Sequence, residues 1–178
     1  MPNQSAPEWQ SPRASAPTPA DMAAGEWSSH HAVTTLMYRY AECVDAADFE
    51  GIGALFAHGQ MTTRGMDGAI VGAAAVAKLY THTNKVHPSG TLLTRHLTTN
   101  VIVDIDEAND HATARSSFVV FQATPQIRFQ PIIAGRYRDA FVRIEGVWWF
   151  EQREMGVEQI GDVSDHLLID LGTVLPKG

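Results

Sequence analysis

Between Thr91 and Met155 the chain carries four long β-type runs with no helical stretch between them: Thr91–Asp106, His111–Thr124, Pro131–Glu145 and Val147–Met155. Parallel neighbours need a crossover of a dozen or more residues, so runs separated by such short breaks pair as an antiparallel meander. The tightest break, Glu145-Gly146, is a hairpin signal. Runs of this length exceed the usual strand of about five or six residues. Long antiparallel strands also twist and curl, so the sheet needs something to cover its concave side.

The residues before the sheet supply that cover. Ser28 and Ser29 are N-cap candidates for an amphipathic helix over about 29–45, in which Val33, Leu36, Met37, Tyr40 and Val44 recur at helical spacing. Asp48 can cap a short second helix through Phe49, Ile52, Leu55 and Phe56, which Gly59 ends. Gln60–Arg64 and Ala69–Val71 read as short strands around the turn Gly65-Met66-Asp67-Gly68. After Gly72 an Ala-rich run to Tyr80 predicts a third helix, and His82–Gly90, with Pro88, reads as a loop. The expected fold is therefore α+β, a cone-shaped curved antiparallel (mixed) sheet with three N-terminal helices enclosing a pocket.

Composition bounds what such a pocket can serve. With 178 residues there is enough chain for one domain with a real core. Residues 1–25, rich in Pro, Ser and Ala and carrying Trp9, read as a disordered arm; 26–170 form a single domain, and 171–178 a tail. A net charge of −7 with no Lys/Arg cluster disfavours nucleic acid. No run approaches the ~18 apolar residues of a membrane span, and the N-terminus lacks the apolar stretch of a secretory signal. The one cysteine, Cys43, falls in the first helical pattern and reads as a small buried residue of a thiol-poor, cytoplasmic protein. Adjacent His30 and His31 point apart, and His82 and His87 lack further ligands, so no metal site is expected. Neither Gly-x-Gly-x-x-Gly nor a phosphate-cradling loop nor a Gly-x-Ser-x-Gly elbow occurs, which leaves a dinucleotide or nucleotide enzyme unsupported.

What remains is a set of polar residues on apolar elements. Alternation places His96, Thr98, Asn100, Ile102 and Asp104 on one face of their strand, and Arg95, Leu97, Thr99, Val101 and Val103 on the other. A face mixing imidazole, hydroxyl and carboxamide suits a partly polar cavity, yet alternation alone favours a structural or surface histidine at 96. In the next runs Tyr137 shares a face with Ile133, Gly135 and Phe141. Strict alternation sets Arg153 with Trp149, Glu151 and Met155, opposite Trp148 and Phe150, and so favours an outward Arg153 beside Glu151. Tyr40 and Asp45 stand five residues apart, roughly 140° around a helix at ~100° per residue. They share a pocket only if the helix lies across its mouth or if Asp45 sits past the last regular turn.

The segments Arg39-Tyr40-Ala41-Glu42-Cys43-Val44-Asp45, Asp48-Phe49-Glu50 and Leu55-Phe56-Ala57 resemble the opening of the SnoaL-like group. This group belongs to the nuclear transport factor two-like superfamily of cone folds. Thr94-Arg95-His96-Leu97-Thr98-Thr99-Asn100 is similar to its histidine strand, Gly135-Arg136-Tyr137-Arg138-Asp139 and Glu145-Gly146-Val147-Trp148 to its final hairpin, and Gly161–His166 to a tail found in many members. The resemblance implies a cofactor-independent dehydratase-type lyase in which Asp45 and His96 form a catalytic dyad. Tyr40 falls where a dehydratase member has a catalytic tyrosine, and Arg153 where a dehydrochlorinase member has an active-site arginine. Asn100 and Tyr137 are the expected substrate contacts, and the substrate is a small, mostly apolar cyclic molecule. An isomerase or cyclase would use the same base without losing a leaving group. A cone domain that only binds ligand or assembles, as in ring-hydroxylating dioxygenase small subunits, is the reading without chemistry. The group's pattern also implies a homo-oligomer, trimer or dimer, with the Trp148-Trp149 pair exposed at the interface.

Overall fold

Ser28 opens the first helix from extended backbone, its Oγ accepting the His31 N–H. The computed structural model of the chain describes residues 28–169, so the expected arm (1–25) and tail (171–178) lie outside the described residues. Helix α1 (Ser29–Asp45) presents Val33, Leu36, Met37, Tyr40 and Val44 to the core. Ala47 adopts φ 56°, and Asp48 restarts the chain as α2 (Phe49–Leu55) by accepting the Gly51 N–H at 2.8 Å. Strands β1 (Gln60–Thr63) and β2 (Ile70–Val71) lead into α3 (Ala73–Thr83). The sheet is then completed by β3 (Thr94–Asp106), β4 (His111–Gln122), β5 (Gln130–Ile144) and β6 (Val147–Ile160).

The long strands form the expected meander, and the sheet order is β2-β1-β6-β5-β4-β3. One joint is parallel: β1 runs beside β6 with Gln60 opposite Gln152 and Thr63 opposite Met155. That makes the sheet mixed. It is open and curved, and together with the three helices it forms an α+β cone. The β5–β6 turn places Glu145 at φ 50° and Gly146 at φ 83°, positive at both central positions as a two-residue hairpin with right-handed twist requires. Strand β6 outruns its expected end at Met155 by five residues. The absent side chain of Gly135 lets β5 lie close to this extension: a Cβ there would lie 2.0 Å from the Gly156 carbonyl oxygen.

Two β-bulges decide which side chains enter the cone. In β3, Thr99 pairs with Ser117 and Ile102 with Arg115, so Asn100 and Val101 share one partner residue. Asn100 takes the left-handed conformation, φ 53°. Beyond it the inward face moves from even to odd positions: Val101, Val103 and Ile105 pack against the core while Ile102 is exposed. In β6, Phe150 pairs with Phe141 and Gln152 with Ala140, leaving Glu151 as the extra residue. Phe150 and Arg153 are thereby both buried, and the expected outward Arg153 beside Glu151 is corrected. Each bulge inserts one residue and inverts the alternation beyond it.

The core sits between the helices and this inner face. Phe56 stacks on Phe150 with centroids 4.8 Å apart, and Phe150 in turn meets Phe141 at 4.8 Å. Trp148 is buried with them rather than exposed, because it shares the phase of Phe150; Trp149 is half-buried with its ring edge against His58. The expected exposed tryptophan pair is therefore not present.

Candidate active site

Asp45 is the last residue of α1, where the helix no longer supplies a following turn, and its side chain reaches across to β3. Oδ1 meets His96 Nδ1 at 2.6 Å and accepts the Thr94 hydroxyl at 2.7 Å, while Oδ2 accepts the His96 backbone N–H at 3.0 Å. Burial by itself would raise the Asp45 pKa. The bonds and charge of His96 and the Thr94 hydroxyl outweigh it and hold the carboxyl below its usual range. A carboxylate on Nδ1 fixes that nitrogen as the donor, which leaves the Nε2 lone pair free.

His96 lines a cavity of about 190 Å³ inside the cone. Its walls are mostly apolar, with Val44, Phe118, Val120, Ile133 and Val157 among them. Tyr40, Tyr80, Tyr137 and His166 also line it. The 140° divergence between Tyr40 and Asp45 is resolved by division of labour. Tyr40 projects into the cavity from α1, whereas Asp45 stands behind the wall and is represented inside by His96.

Tyr40, 3% exposed, shares a short hydroxyl–hydroxyl hydrogen bond with Tyr80 of α3 and meets the Tyr137 ring edge-on at 5.9 Å. Tyr137 stacks on Phe118 at 4.3 Å. Burial raises the pKa of Tyr80 and of Tyr137 well above that of an ordinary phenol, so both stay protonated and able to donate. Tyr80 was not singled out by the sequence. The available signal was its spacing from Val76, which puts both on the inner face of α3.

Arg153 is placed differently from the sequence expectation. It is fully buried, donating from Nε to Asp139 Oδ1 at 2.8 Å and from Nη2 to Oδ2 at 2.7 Å. Its Cζ lies 4.0 Å from the centre of the Tyr137 ring and 4.2 Å from that of Tyr40. Burial acts to lower its pKa, but the Asp139 charge and bonds more than offset this and keep the guanidinium charged. Arg153 therefore stands behind the tyrosines and does not line the cavity, unlike the active-site arginine that the resemblance implies. Asn100 is also corrected: it is exposed at the β3 bulge, away from the cavity. Of the expected site residues, Tyr40, His96 and Tyr137 line the cavity directly.

His166, on the segment that follows β6, is 3% exposed, and its Nδ1 has no hydrogen-bond partner among the described residues. The sequence marked its stretch, Gly161–His166, only as a familiar tail. Among the described residues no group of three or more His, Cys, Asp or Glu side chains is gathered that could hold a metal ion. No helix among them is long and apolar enough to cross a membrane.

Solved structures share this architecture. Rv3472 of Mycobacterium tuberculosis, a protein of unknown function, is 27% identical over 75% of this chain and 72% of its own, with a TM-score of 0.59. A candidate scytalone dehydratase from Novosphingobium aromaticivorans is 23% identical over 75% of this chain and 86% of its own, with a TM-score of 0.59. ActVI-ORFA of Streptomyces coelicolor is 15% identical over 72% of this chain and 96% of its own, again with a TM-score of 0.59. No curated protein matches the chain. The SnoaL-like domain pattern matches residues 25–154, which include α1, β3 with His96, and Arg153, and the chain belongs to this family.

Proposed function

We propose that this SnoaL-like chain is a cofactor-independent lyase of the dehydratase type, acting on a small, mostly apolar cyclic alcohol whose hydroxyl lies β to an activating carbonyl. The family includes dehydratases, isomerases and cyclases that process small molecules. The observation that carries the reading is the 2.6 Å contact of His96 Nδ1 with Asp45 at the wall of an apolar cavity. With Nδ1 held by a carboxylate, Nε2 is the base available to a ligand inside.

His96 Nε2 takes a proton from the carbon next to the carbonyl, and the electrons of that C–H bond become the C=C bond as the C–O bond to the hydroxyl breaks. The imidazolium, stabilised by Asp45, returns the proton to the departing hydroxide, which leaves as water. Tyr40 donates a hydrogen bond to the carbonyl oxygen, where negative charge accumulates, and Tyr80 holds the Tyr40 hydroxyl in place. Arg153 acts through the tyrosines. Its charge behind the rings of Tyr40 and Tyr137 favours negative charge developing on the carbonyl oxygen that Tyr40 donates to.

The test is to incubate the chain with a panel of cyclic β-hydroxyketones and follow enone absorbance and product mass. The wild type is expected to release water from at least one, and His96→Gln to be slower by ~10²–10⁴. A product of unchanged mass would indicate an isomerase using the same base. Full activity in His96→Gln would sink the dyad.

A further inference from the structure

The segment 161–169 leaves β6 and folds back so that Leu167 and Ile169 join the cavity wall. Several ties hold it there. The Lys85 ammonium pairs with the Asp165 carboxylate, and the Asp165 carbonyl receives Gln122 Nε2 at 3.1 Å and contacts His87 Nε2 at 3.0 Å. Asn84 and Leu167 form a β-bridge, and the Lys85 N–H donates to the His166 carbonyl at 2.8 Å. These ties set the His166 ring into the same cavity as His96.

The His166 ring is poorly explained as filler. Its buried Nδ1 has no partner among the described residues, whereas the large majority of buried side-chain polar atoms have one. A Phe or Leu in the same place would leave no such atom bare. Burial, and then charge on His96, lower the His166 pKa to about 4, so the ring is neutral near pH 7. A neutral imidazole has one donor and one acceptor nitrogen. It has no charge with which to balance a carboxylate, and the charge of Arg153 is already committed to Asp139. The family pattern ends at residue 154, so this residue lies outside the matched region.

We propose that His166 is a second ligand-binding histidine, hydrogen-bonding an uncharged oxygen, a ketone or hydroxyl, of a cyclic molecule held against His96. The proposal rests on the elimination reading for where the reacting carbon sits, but the binding contact requires no turnover. Dehydration chemistry and ligand anchoring then fall to different histidines.

The experiment measures affinity of the full chain for 2-tetralone and for tetralin, the same ring system without the oxygen. The wild type is expected to prefer the ketone. His166→Phe is expected to lose about three- to tenfold in ketone affinity, the equivalent of one hydrogen bond, while keeping its affinity for tetralin. His166→Gln, which keeps a donor and an acceptor, is expected to restore part of the preference and supplies the readout if the Phe variant does not fold. A wild type without ketone preference, or variants that retain it in full, would overturn the proposal. So would an equal loss for both probes, which marks a packing role. Failure of the elimination reading shows separately, as unaltered ketone binding without product in the turnover assay.

Discussion

The carboxylate of Asp45 holds His96 at two points, the ring through Nδ1 at 2.6 Å and the strand through the backbone N–H at 3.0 Å. One side chain therefore fixes both the orientation of the imidazole and the position of β3 against α1. An amide in its place keeps one acceptor oxygen and loses the charge. Asp45→Asn should lower turnover by ~10² or more and destabilise the fold by about 1–3 kcal/mol. Nitrogen-15 spectra of the His96 ring should change from one tautomer to a mixture. A variant with normal turnover and an unaltered spectrum would contradict this arrangement.

His166 makes stability pH-dependent in a defined window. Its pKa is about 4 in the folded chain against an ordinary 6.5, so as pH falls the unfolded chain takes up the proton first. Its contribution is complete above pH ~6.5 and is lost between there and pH ~4, by up to roughly 3 kcal/mol. Asp45 acts lower. Its pKa is depressed in the fold, so its contribution is present above the unfolded value and goes as pH falls through the folded one. Urea midpoints between pH 4 and 7 should therefore decline with acidification, and His166→Phe should flatten the decline. An unchanged slope in that variant would count against a buried neutral ring.

The side chains of Arg153 and Asp139 are both fully buried, so each supplies the opposite charge that offsets the other's lost hydration. Breaking the pair from one side leaves an uncompensated charge inside the cone. Arg153→Met and Asp139→Leu should each destabilise by about 3–5 kcal/mol, and the double variant by less than the sum. Additive losses in chemical denaturation would show that the two are not coupled.

The β5–β6 turn offers a change that touches nothing else. Glu145 is exposed and held at φ 50°, which Asn tolerates better than Glu. Glu145→Asn should stabilise the fold by roughly 0.5 kcal/mol, on the scale of a turn made compatible with its backbone. Thermal melting decides it, and a lower Tm would be the contrary result.

The elements that rest on local rules were readable in the chain itself. The 3.6-residue spacing from Val33 to Val44 defined α1, and Glu145-Gly146 marked the final hairpin. The four long runs became the meander because the linkers between them are too short for any other connection. What the sequence hid depends on register. Arg153 reads as outward by strict alternation and is inward because Glu151 is an extra residue in β6; Asn100 reads as inward and is exposed because it starts the bulge in β3. Neither bulge carries a glycine or proline to announce it. The partnership of Asp45 with His96 spans 51 residues and was suggested by family resemblance rather than by spacing. Tyr80 and His166 reach the cavity through tertiary folding, the second on a segment with no periodicity to read.

Asp45 and His96 lie on α1 and β3, inside the region that matches the family, whereas the wall carrying His166 is a single strap of about nine residues pinned mainly by Asp165. In the proposed reading the reacting base and the anchoring histidine thus lie in separate stretches of chain. Exchanging the strap for another of equal length, with Asp165 kept as its anchor, would retune what enters the cone without disturbing the base within it.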